Sequence, residues 1–130
     1  MTDEERLRQG FAVRRRVLGE AYVDRAEASK TEATADFQEF LTRYAWGEVW
    51  NRPGLNQKTR RLLTIAMLIP LNREPELAMH LRAALQDDVI ERELCELILH
   101  SSLYCGLPAA NAAFRLLEQV ITEMSSQHQE

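Results

Sequence analysis

The stretch LLTIAMLIPLNREPELAMHLRAAL, Leu62 to Leu85, decides how this chain is read. LLTIAMLI is apolar on every side of a helix, and a helix of that kind belongs at the centre of a fold. Pro70 closes it. Pro75 suits the first turn of the next helix, PELAMHLRAAL, whose stripe is Leu77, Leu81 and Ala84. A buried helix, a short break and a second amphipathic helix predict helix packed on helix.

The rest of the chain agrees. Strand-like β-branched alternation is absent, and the breakers, 5 glycines and 4 prolines, fall mostly between periodic segments. Working toward the N-terminus, Asn56 can cap the central helix. Before it, residues 34 to 50 form another helix, with Phe37, Phe40, Leu41, Tyr44, Ala45 and Glu48 on one stripe. NRPG ends that helix. Residues 20 to 30 lose the pattern and read as a loop or arm. Asp3 to Leu18 reads as a first helix stopped by Gly19. Its Arg14–Arg15–Arg16 run cannot all face one way and reads as a solvated or subunit-facing cluster. Toward the C-terminus, Asp88 and Glu91 have capping-box spacing for a helix through CELILHSSLYC. Gly106 breaks it, and Pro108 opens a last helix with Ala109, Ala110, Ala112 and Ala113. Small residues of that kind serve a tight bundle or a subunit interface. The expectation is an all-α, single-domain bundle of about six helices over residues 1–130. It has an N-terminal helix and arm over 1–33, a bundle over 34–124 and a frayed tail over 125–130.

Composition narrows the function. With 45% apolar and 28% charged residues, the chain has the balance of a globular domain and not of a disordered one. A net charge of −4 lacks the basic footprint of a nucleic-acid binder. No apolar run reaches the roughly 18 residues of a membrane span, and MTDEERLRQG is not a signal peptide. A cytoplasmic protein with neither a nucleic-acid nor a membrane partner is expected. Cys95 and Cys105 form no CxxC and read as free thiols.

Several residues carry possible chemistry. RYAWGEVWNRPGL, Arg43 to Leu55, holds both tryptophans of the chain around Glu48. On the apolar stripe, that carboxylate must pair with an arginine or serve a site, because an unpaired buried charge costs several kcal/mol. His80 lies at the edge of the Leu77–Leu81–Ala84 stripe, with Glu76 one turn before it to orient the imidazole. A hydrogen-bonded core histidine and a proton-transfer residue are both open. His100 and Tyr104 form an i, i+4 pair that either contacts a ligand or sits half-buried at a helix boundary. Among the nearby arginines, one or two could hold a small anion, since the guanidinium fork matches a carboxylate. HExxH motifs, histidine–cysteine clusters and glycine-rich phosphate loops are missing, so no metal is expected. On residues alone the reading stops at a helical bundle with a small acidic-ligand pocket.

Four segments carry a resemblance over Gly10 to Val120. RYAWGEVWNRPGL, TRRLLTIAMLIPLNREPELAMHLRAAL, LHSSLYCGLPAANAAFRLLEQV and VRRRVLGEAYVDRA resemble the 4-carboxymuconolactone decarboxylase family. ELAMH stands where related peroxidase-type members carry CxxCxxxH; Glu76 and Arg73 take the two cysteine positions, so thiol chemistry is not available. Cys105, Arg61 and Pro70 depart from the family pattern at the edge of the site.

The resemblance implies a peroxidase-D-type all-α fold and a homo-oligomer, commonly a hexamer. It also implies decarboxylation of 4-carboxymuconolactone to 3-oxoadipate enol-lactone, in the protocatechuate branch of the β-ketoadipate pathway. No cofactor is expected, because electrons left by the departing carboxylate can flow through the ring double bond to the lactone carbonyl. On this reading His80 donates the proton. Arg43 and Arg60 hold the carboxylates. Trp46, with its aromatic neighbours, keeps the site dry. Glu48 orients an arginine or His80, or moves a proton, while Glu76 orients His80. Tyr104 and His100 contact the substrate. The rival reading is a non-catalytic assembly or aromatic-acid-binding module of the same fold.

Overall fold

A computed structural model describes residues 1–128. Among them every regular element is helical. These are α1 (Asp3–Leu18), α2 (Glu20–Ala28), α3 (Ala35–Phe40), a π-helix (Leu41–Val49), α4 (Gln57–Leu71), α5 (Glu74–Gln86), α6 (Glu91–Cys105) and α7 (Leu107–His128). They group into two compact units that meet in sequence at Gln57 and Lys58. The sequence reading placed its division after residue 33. The structure instead groups α1 and α2 with α3 and the π-helix.

In the first unit, α1 begins where Thr2 and Glu5 exchange side-chain and backbone hydrogen bonds at 3.0 and 3.1 Å. It ends at Gly19, whose φ of 96° suits glycine. A helix, not a loop, follows immediately. Residues 20–28 show no stripe because only Val23 in α2 is buried. Ion pairs do the rest: Arg15 meets Glu20 and Asp24, each at 2.7 Å. Nor is the arginine run simply solvated. Arg14 is buried, donates to Thr42 Oγ1 and Gln38 Oε1 at 3.2 Å each, and lies 3.9 Å from Glu27.

The π-helix corrects the register of the aromatic segment. Thr42 Oγ1 donates back to the Gln38 carbonyl at 2.7 Å, a bond that loosens a helix locally. The backbone then widens, closing with Trp50 N–H to Ala45 O at 2.9 Å. A wider turn rotates later side chains away from the α-helical stripe. The buried residues are Thr42, Trp46 and Gly47, whereas Phe37, Phe40 and Tyr44 are exposed. Trp46 and Gly47 therefore replace Tyr44 and Glu48 as the inward residues. The packing partner is α1, and the approach is close: a Cβ on Gly10 would overlap the Thr42 carbonyl, and one on Gly47 would overlap the Arg6 carbonyl.

The second unit has its own core. Ile65 and Ile69 of α4, Leu77, Leu81 and Ala84 of α5, Leu94 and Ile98 of α6, and Ala110, Ala113, Leu117 and Val120 of α7 form it. Two of the four alanines of α7, Ala110 and Ala113, are thus spent inside the bundle. The helix α4 is not enclosed as its composition suggested. Met67 and Leu71 are 58% and 61% exposed, and the buried positions are Arg61, Ile65 and Ile69. Pro70 falls in its last turn, and Asn72 at φ 59° turns the chain out. Ile90 N–H, not that of Asp88, is capped at the start of α6, by Glu93 at 3.0 Å. Asp88 instead faces Arg61. The helix α7 continues through Ser125 and Ser126 to His128, past the point where the tail was expected to fray. Gln129 and Glu130 lie outside the described residues.

Gly47→Ala should destabilise the chain by about 2 kcal/mol or more, because backbone cannot yield to a new Cβ as a flexible side chain can. Gly54→Ala, where nothing lies within 4 Å, should change stability little. Urea denaturation of the two variants beside the parent protein checks this.

Candidate active site

Arg43, Trp46 and Glu48 belong to the first unit; Arg60, Glu76, His80, His100 and Tyr104 belong to the second. Glu48 is not buried among the aromatics. Its side chain is 46% exposed and lies between two arginines, 3.6 Å from Arg6 Nε and 3.4 Å from Arg52 Nη1. Arg6 also sits over the Tyr44 ring, 5.5 Å from its centroid. The sequence argument missed Arg6 because it lies 42 positions away (48 − 6), and only the packing of α1 on the π-helix brings it in. Arg43 is held by Glu39 at 3.0 Å and by the Asp3 carbonyl at 3.3 Å. Trp46 is buried and stacks on Trp50 with centroids 4.8 Å apart.

In the second unit, α5 turns Leu77, His80, Leu81 and Ala84 inward together. His80 is therefore inside the stripe and only 7% exposed, not at its edge. Its Nδ1 is buried and has no hydrogen-bond partner among the described residues. Burial, and then the positive charge of Arg61, push its pKa down to about 4; Glu76 opposes them with a smaller effect. Glu76 itself is exposed and makes no bond to Nδ1, so it acts on His80 through its field alone. The resting imidazole is therefore neutral at pH 7.

Arg61 explains much of this. Its guanidinium is fully buried, with Asp87 at 2.8 Å and Asp88 at 3.2 Å. The sequence reading took Arg61 as one of several arginines near the site and as a departure from a family pattern. The signal that could have found its role is the adjacent pair Asp87–Asp88 after α5, two carboxylates placed to receive one buried cation.

His100 and Tyr104 stay together, 5.6 Å apart between centroids, but not in an enclosed site. Tyr104 is 81% exposed. His100 lines an open cleft of about 580 Å³ with Leu62, Arg92, Glu93 and Glu96 among its walls. Glu93 in this wall is paired with Lys58 at 2.7 Å. Arg60 is half-buried at the start of α4. No group of three or more histidine, cysteine, aspartate or glutamate side chains that could hold a metal occurs among the described residues. No helix among them is long and apolar enough to cross a membrane.

The all-helical fold of the described residues is the one the resemblance implied. The carboxymuconolactone decarboxylase family model matches residues 35–119, and the chain belongs to that family. A 4-carboxymuconolactone decarboxylase of Acinetobacter baylyi is 53% identical over 124 residues, covering 95% of this chain and 92% of the relative. A nitrosuccinic acid decarboxylase of Metarhizium robertsii is 40% identical over 116 residues, 89% of this chain and 81% of the relative. A 4-carboxymuconolactone decarboxylase of Pseudomonas putida is 42% identical over 48 residues, 37% of this chain and 100% of the relative.

Two outcomes follow from the geometry. The folded pKa of His80, about 4, lies below its unfolded value of 6.5, so the unfolded chain binds more protons between those values. The contribution of His80 is then complete above pH 6.5 and lost as pH falls toward 4, by up to about 3 kcal/mol. Denaturant midpoints at pH 7 and 4.5 should diverge less in His80→Gln than in the parent. Glu48→Gln, which removes two long and partly exposed ion pairs, should cost less than about 1 kcal/mol by the same measurement.

Proposed function

We propose that the chain removes carbon dioxide from 4-carboxymuconolactone to give 3-oxoadipate enol-lactone, in the cytoplasm and as a homo-oligomer. The observation that carries this reading is the 53% identity to the Acinetobacter baylyi decarboxylase over 95% of the chain. The chemistry suits the side chains present. The departing carboxylate sits beside the ring double bond. Its electron pair moves through that bond to the lactone carbonyl oxygen, carbon dioxide leaves, and a proton from water ends on the carbon α to the carbonyl. The protein must hold a dianion and stabilise the oxyanion.

His80 suits the second task in its neutral form. With Nδ1 buried and unpartnered, the imidazole proton belongs on Nε2, since an orphaned N–H is worse tolerated than an orphaned lone pair. The Nε2–H then donates to the carbonyl oxygen as charge builds there. Arg60, in the same unit as His80, holds a carboxylate. Glu48 acts through Arg6 and Arg52, fixing the cations of the first unit. Trp46 and Trp50 give the first unit a stacked apolar surface.

The relative named for nitrosuccinic acid supports the same division of labour. That acid, like the lactone, carries two carboxylates and an oxygen-bearing group that can take an electron pair. A scaffold that binds one carboxylate and stabilises an oxyanion serves both chemistries.

Purified chain mixed with 4-carboxymuconolactone should release carbon dioxide and enol-lactone; folded protein without turnover would leave the binding-module reading. His80→Phe should lower kcat by about 10²–10³-fold, the usual loss on removing an oxyanion donor, while His80→Gln, which keeps an N–H, should lose less. The pH profile of kcat should show no inflection from His80 between pH 5.5 and 8. An equal loss in both variants, with such an inflection, would make His80 a proton donor instead.

A further inference from the structure

The surface of the second unit carries an apolar face that its own core does not use. On the last two turns of α6 and the first residue of α7, Leu99, Leu103, Tyr104 and Leu107 are 59%, 76%, 81% and 75% exposed. Other exposed apolar residues are less suited to docking. Phe37, Phe40 and Tyr44 are interspersed with Asp36, Glu39 and Arg43, and Leu63, Met67 and Leu71 form a narrower, less exposed stripe on α4.

The charge pattern singles out the α6–α7 face. From Leu97 to Phe114 the chain has no Asp, Glu, Lys or Arg, although such residues are 28% of the whole. The buried side of these helices accounts for part of that run. It does not account for the exposed side, where charge would be free to occur and would keep the face soluble. A contact about a two-fold axis sets a patch against its own copy, so every charge near the axis meets a like charge. Removal of charge from an exposed face is what a self-contact requires. A different protein partner would commonly be selected by complementary charge, and this face has none to offer.

Area agrees. The four side chains expose together roughly 550 Å², at the upper end of the largest apolar patch on a typical monomer and more than half of the ~800 Å² that each partner gives to a standard interface.

We propose that the Leu99–Leu103–Tyr104–Leu107 face docks on the same face of a second copy of this chain about a two-fold axis. The inference rests on the homo-oligomer part of the reading above and adds which surface assembles. Tyr104 and its neighbour His100 are then interface residues, which accounts for an aromatic pair of this exposure outside any enclosed site.

The test uses the full chain with Leu103→Glu and Leu103→Lys, a position exposed enough that neither should disturb folding, as circular dichroism would verify. Light scattering with size exclusion should give the wild type a mass that is a multiple of 15.0 kDa. Each variant alone should fall to half that mass or less. An equimolar mixture of the two should recover the wild-type mass, because Glu then meets Lys across the axis. A monomeric wild type would overturn both the oligomer reading and this inference, and its sedimentation with phosphatidylcholine vesicles would assign the face to lipid. An oligomeric wild type with both variants unchanged in mass would overturn the surface alone. Dissociation without recovery on mixing would overturn the two-fold contact.

Discussion

The first unit depends on two backbones passing where side chains are not allowed. Gly10 on α1 and Gly47 on the π-helix let carbonyls of the opposite segment enter space that a Cβ would fill. Once the helices are that close, the register of the aromatic segment is no longer set by its own α-helical period. Thr42 and Gly47 both meet α1, and a widened turn is the way to place both there. The same rotation moves Glu48 outward, beside Arg6 on α1 and Arg52 beyond the π-helix. A carboxylate among tryptophans in the sequence is thus a carboxylate between arginines in the fold.

In the second unit the controlling charge is Arg61. A fully buried guanidinium is tolerable only with close acceptors, and Asp87 and Asp88 supply them at the turn between α5 and α6. The cost of that arrangement falls on His80. A dry setting first, and then the positive charge of Arg61, make imidazolium unfavourable, and Glu76, being exposed, cannot restore it. A histidine kept neutral in this way is a poor acid and a good hydrogen-bond donor. That distinction changes which step of a decarboxylation it can assist.

Much of the fold was legible because breakers and caps act locally. Gly19 and Gly106 end α1 and α6 at the expected residues, and Pro75 begins α5 as its fixed φ favours. The all-helical class and the family likewise followed from periodicity and from RYAWGEVW and ELAMH. What was not legible depends on distant partners. The helix α2 buries one residue and leans on ion pairs with α1, so it shows no stripe. The π-helix answers to Gly10, more than 30 positions earlier (42 − 10). The burial of Arg14 requires Thr42 and Gln38. Candidate site residues were found by type, but their states were not: the protonation of His80 and the partners of Glu48 are tertiary properties.

The apolar excess of α4 and of the α6–α7 corner follows the same logic one level higher. LLTIAMLI suggested a helix enclosed within one subunit, because apolar on all sides means no water on any side. The structure leaves Met67 and Leu71 uncovered, as it does Leu103 and Leu107. Composition reports that a surface avoids water but not which molecule covers it. A short chain has too little interior to hide all of its apolar side chains, so part of them stays at the surface of its fold. The period of a sequence reveals faces; only the folded chain shows which of them remain unspent.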